Sequence, residues 1–155
     1  MQLITTNNHK PYNMPDLKLQ QLQYETETWR RLLGFMRDEN VHLKNRLSEI
    51  LKNNFDTALL EEVENFHNNF LKEDERINLL KREVAELDKL LVREIFEDIP
   101  IIKKVNRKLK RFRNNIKNRE AQFTRLKMDF NNYLSENIIQ NNKQMKTINS
   151  PCLLK

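Results

Sequence analysis

One glycine, one cysteine and four prolines are all that this chain of 155 residues holds of the types that bend, staple or interrupt a backbone. A single cysteine, Cys152, excludes an intramolecular disulfide framework and a zinc cluster of cysteines within one chain. No run approaches the roughly 20 consecutive apolar residues of a membrane span. The opening MQLITTNNHKPYNMPD has no apolar stretch long enough for a secretory signal. The ending SPCLLK matches a prenylation signal poorly, because Lys155 follows two leucines. A cytoplasmic location is the expectation. There is no glycine-rich phosphate loop, no Ser/His/Asp arrangement and only three histidines, so no enzyme activity, catalytic residue or cofactor is expected.

The scarcity of breakers also sets the fold. Pro11, Pro15, Pro100 and Pro151 all fall where an element would begin or end, which leaves more than eighty residues between Pro15 and Pro100 without a proline. Proline breaks helix interiors and glycine weakens them, so helix is unopposed. Charged residues make up 32% and mean hydropathy is −0.81. That polarity suits either a disordered chain or narrow apolar seams between wide solvated faces. Patterning decides for the seams, since apolar residues recur at alternating steps of three and four, as heptad a and d positions do.

The first seam is Leu19, Leu22, Thr26, Trp29, Leu33, Met36, Asn40, Leu43, Leu47 and Ile50. The second is Leu59, Val63, Phe66, Phe70, Glu73, Ile77, Leu80, Val84, Leu87 and Leu91. The third is Val105, Leu109, Phe112, Ile116, Arg119, Phe123, Leu126, Phe130, Tyr133 and Asn137, preceded by Ile102. This predicts an all-α, elongated antiparallel three-helix bundle over 16–137, with helices near 16–52, 57–97 and 101–137. Residues 1–15 read as a flexible arm and 138–155 as a flexible tail. Asp56 is the expected N-cap of the second helix. In helix number and length the arrangement resembles a spectrin-type repeat, as does the tryptophan inside the first helix; the likeness is one of architecture alone.

Four constellations stand out. Glu39–His42 and Glu64–His67 are Glu-x-x-His pairs of the kind that bind metal in di-iron bundles. Their heptad phase turns both histidines away from the core, so no metal site is expected. Asn40, Glu73 and Arg119 interrupt the seams and read as a polar layer that fixes register. Antiparallel register sets Arg119 opposite Leu80, short of Glu73, with Trp29 near Arg119. Residues 101–127 hold eleven lysines and arginines against Glu120 alone, whereas 57–98 hold twelve acids against six bases. Part of that basic surface is expected to face the acidic helix. The rest, at Lys103, Lys104, Arg107, Lys110, Arg111 and Lys117, is free for a polyanion.

Apolar residues outside the seams form the fourth set. Leu32, Phe35, Leu71 and Leu79, with Gly34 beside Phe35, predict one exposed patch on the first two helices. The expected function is therefore non-enzymatic: an interaction or scaffolding protein that self-associates, or takes a partner protein helix, through this surface. The alternative is weak, sequence-independent binding of nucleic acid or an anionic membrane surface by the basic face of the third helix.

Overall fold

A computed structural model describes residues 14–53, 56–92 and 99–148, with side chains described over 18–53, 56–91 and 103–137. They form three helices: α1, Met14–Asn53; α2, Thr57–Val92; and α3, Ile99–Ile148. There is no strand among the described residues. Pro15 and Pro100 sit in the first turns of α1 and α3, where a missing N–H costs no intrahelical bond. Asp56 caps α2 as expected: its carboxylate accepts from the Ala58 amide at 3.1 Å and its carbonyl from the Leu60 amide at 3.0 Å.

One boundary differs from the expectation. α3 continues past Asn137 to Ile148, through residues read from the sequence as the start of a tail. Loss of the heptad period marks loss of a seam, not of helix; no proline or glycine stands in the way until Pro151. The arm before Met14, the expected last turn of α2 at 93–97 and the tail after Ile148 lie outside the described residues.

The fold is an all-α three-helix bundle. Every seam residue whose side chain is described is buried or half-buried, Phe66 being among the half-buried ones. The chain divides into two compact units, each drawing a segment from every helix: Met1–Phe35 with Ile77–Ile116, and Met36–Arg76 with Lys117–Lys155.

In the first unit Leu22, Trp29 and Leu33 of α1 are buried, as are Ile77, Leu80, Val84, Leu87 and Leu91 of α2 and Val105, Leu109, Phe112 and Ile116 of α3. Trp29 tilts against Phe112 with ring centroids 4.8 Å apart. In the second unit Leu47, Leu59, Val63, Phe70, Phe130, Tyr133 and Leu134 form one buried cluster, with Leu43, Ile50, Phe66 and Leu126 packed against it. Within that unit Phe66 meets Tyr133, Phe70 meets Phe130, and Glu73 meets Arg119. Rising numbers on α2 thus match falling numbers on α3, so the two helices are antiparallel.

Candidate interaction surfaces

The polar seam residues split into two buried groups, both in the second unit. Asn40 is fully buried on α1. Its amide nitrogen donates to the Phe70 carbonyl at 2.9 Å and to the Asp74 carboxylate at 2.6 Å. Lys44, one turn on, donates to the other Asp74 oxygen. Glu73, only 2% exposed, is held by Arg119 at 2.6 Å and by Arg76 at 3.5 Å, both on the same carboxylate oxygen. The seam register set Arg119 opposite Leu80, short of Glu73; in the structure its guanidinium nonetheless reaches Glu73. The aromatic neighbour expected for Arg119 is not found, because Trp29 packs on Phe112 instead. The cation–π contact falls elsewhere, with Lys127 5.2 Å from the Phe123 ring centroid.

These groups are built to hold position. The Glu73 carboxylate is enclosed by two guanidinium groups, and Asn40 by a backbone carbonyl and a carboxylate. What they fix is register, since a one-turn slip would strand Glu73 and Asn40 in apolar surroundings.

Several polar contacts beside the seams, one of them made by the seam residue Thr26, were not singled out by the seam pattern. In the first unit Thr26 donates to Asp88 at 2.6 Å, Arg30 pairs with the same carboxylate, and Arg113 grips Glu25 bidentately at 2.5 and 2.7 Å. In the second, Lys127 pairs with Glu39 at 2.6 Å. Their signal in the sequence is an acid and a base, each one position from a seam residue on a different helix. That pattern is too common to select particular partners.

Tyr133 is buried in the second unit, and its pKa is pushed up to about 12, first by burial and then by the carboxylates of Glu62 and Asp56. The folded state therefore holds this proton more tightly than the unfolded chain does. The stabilisation is fully present below about pH 10 and is lost as pH rises through about 12. Unfolding free energies from denaturant titration should fall across that window by as much as roughly 2–3 kcal/mol more in the unmodified chain than in Tyr133→Phe. Parallel pH profiles of the two would overturn this.

The histidine pairs do not converge. His42 is exposed and His67 half-buried, while Glu39 of the first pair is committed to Lys127. Among the described residues no group of three or more His, Cys, Asp or Glu is placed to share an ion.

The expected apolar patch is redistributed. Phe35, Leu79 and Leu71 are 61%, 50% and 43% exposed, and Leu32 and Gly34 are half-buried. A Cβ added to Gly34 would meet nothing within 4 Å, so no helix of this chain demands glycine there. Phe35 and Leu79 both belong to the first unit, but helical phase separates them. At 100° per residue, Phe35 lies about 140° round α1 from Arg30, which reaches α2. Leu79 lies about 180° round α2 from Asp88, which reaches α1. Level with each other along the helices, they face different sides. Leu71 belongs to the second unit, on the α1-facing flank of α2 near Asp74. Tyr24, Val41, Leu51 and Met128 are also exposed and were passed over by the pattern; scattered singly, such residues are ordinary.

On the α2 face that carries Leu79, the first unit holds a cleft of about 190 Å³. It is lined by Glu83, Glu86, Leu87 and Leu90 of α2 and by Lys108, Arg111 and Phe112 of α3. Leu79 is one turn before Glu83 on the same face.

The basic surface of α3 is less neutralised within the chain than its composition suggests. Among the described residues only Arg119 pairs with an acid on α2; Arg113 and Lys127 reach α1. In the first unit Lys103, Lys104, Arg107, Lys108, Lys110 and Arg111 are all exposed, and none has an acidic partner among the described residues. Lys117, in the second unit, is likewise exposed and unpaired.

These features define an all-α three-helix bundle whose notable surfaces are an apolar cleft between charged walls and a bare basic helix face. No protein-family model, curated protein or solved structure matches the chain. Among the described residues no helix is long and apolar enough to cross a membrane.

Proposed function

We propose that the chain is a non-enzymatic interaction or scaffolding protein that self-associates through its helical surface. One observation carries this reading. The apolar core of the first unit closes without Phe35 and Leu79, which remain 61% and 50% exposed. Large side chains left in water by a filled core favour association, at roughly 25 cal/mol per Å² buried before association costs are counted. Because the two face different sides, one two-fold contact covers only one of them, and a closed homodimer is the simplest arrangement that does so. The same reading places the chain in the cytoplasm, where a lone cysteine needs no disulfide partner. Sedimentation equilibrium at tens of micromolar tests it. A dimer that dissociates on Leu79→Glu is the expected result, and a monomer in the unmodified chain overturns it.

A second reading has its own support in the unpaired cations of α3. Lys103, Arg107 and Lys110 lie along the solvent side of the helix, with Lys104 and Arg111 beside them. This face fits a polyanion, either nucleic acid or an anionic membrane surface. The helix's buried aromatics, Phe112, Phe123, Phe130 and Tyr133, are not free to stack on bases, so contact would be with phosphates. Affinity for duplex DNA should be weak, indifferent to sequence, and should fall on the order of tenfold or more between 50 and 200 mM salt if even a few phosphates are engaged. Tight binding to one sequence that survives high salt would exclude this mode.

A further inference from the structure

The cleft of the first unit has walls of opposite sign. Leu79, Glu83, Glu86 and Leu90 follow one another at steps of four, three and four along α2, so they share one face. Glu83 and Glu86 make the acidic wall, Lys108 and Arg111 the basic wall, and Leu87 and Phe112, both buried, the apolar floor. Neither acid pairs with either base across the gap, nor does any of the four have another ionic partner among the described residues. The walls stand apart around a volume of about 190 Å³.

We propose that the occupant of this cleft is the same cleft of a second copy, related by a two-fold axis running along it. The inference rests on the self-association reading and names its surface. Such an axis sets the α2 wall of each copy over the α3 wall of the other without shifting height, so acids meet bases at both walls. The spacing agrees. Glu83 and Glu86 are three residues apart, as are Lys108 and Arg111, about 4.5 Å along either helix. An axis across the cleft would instead set acid on acid and base on base. The charges therefore select one orientation, while Leu79 and Leu90, on the same face as the acidic wall, supply the apolar contact. Phe35, on another face of the unit, takes no part.

Complementary charge reversal tests this. One variant carries Glu83→Lys and Glu86→Lys, the other Lys108→Glu and Arg111→Glu; circular dichroism confirms that each remains helical. Alone, each places like charges across the axis, and its dimer dissociation constant should rise at least tenfold. Mixed in equal amounts, the two should form a heterodimer with affinity near that of the unmodified chain. Leu79→Glu should weaken the dimer, and Phe35→Glu should leave it intact. An unmodified dimer that neither reversal disturbs, or a mixture as weak as the separate variants, overturns the cleft contact and leaves self-association standing. An unmodified chain that is monomeric overturns both.

Discussion

Arg119→Ala should destabilise the fold by roughly 3–5 kcal/mol, because it leaves the Glu73 carboxylate buried without its principal partner. Glu73 is 2% exposed, and Arg119 approaches it at 2.6 Å. Arg76 remains at 3.5 Å from the same oxygen, which places the cost toward the lower end of that range. The second Glu73 oxygen is buried without a hydrogen-bond partner among the described residues, so even the intact pair carries an uncompensated desolvation penalty. Replacing both residues by leucine should therefore be neutral or stabilising by about 1–4 kcal/mol, as for other buried pairs exchanged for apolar side chains. Denaturant midpoints of the two single variants and the double variant decide the matter. A double variant less stable than the unmodified chain would show that the pair stabilises the fold in itself, beyond fixing register.

That layer also shows how far a sequence of this kind can be read. The seams, the Asp56 cap, and the burial of Asn40 and Glu73 follow from period and breakers alone, because a two-state pattern of apolar and polar residues settles which side of a helix faces in. What lies one residue off the seam was harder to read. Asp88 and Asp74 organise the contacts of Thr26, Arg30, Asn40 and Lys44, yet in the sequence they are two acids among twelve on 57–98. Phe35 and Leu79 were legible as outward-facing but not as facing apart. Height follows from counting along antiparallel helices, whereas direction depends on which neighbour lies on which flank, and heptad letters do not carry that handedness. The cleft was missed for the same reason. Glu83, Glu86, Lys108 and Arg111 read as solvated charges until α2 and α3 are set side by side.

The hydrophobic core of the second unit should show the other large effect, at Phe130. Its side chain is fully buried, with the Phe70 ring edge-on at 5.1 Å and the Phe66 ring tilted at 5.3 Å. Phe66 in turn packs on Tyr133 at 5.4 Å, so four rings from α2 and α3 share one contact network. Phe130→Ala removes the centre of that network and should cost about 3–5 kcal/mol, with the surrounding helices unable to close on the space. Phe130→Leu keeps most of the volume and should cost less than half as much. Because domains of this size are stable by only about 5–15 kcal/mol, the alanine variant should lose about a fifth or more of its margin in chemical denaturation. A double-mutant cycle between Phe70→Ala and Phe130→Ala should return a coupling of about 0.5–1.5 kcal/mol, the part that belongs to the edge-on ring pair and not to area alone. A cost below about 1 kcal/mol for Phe130→Ala would mean that the site collapses freely. The aromatic network would then not hold α2 against α3.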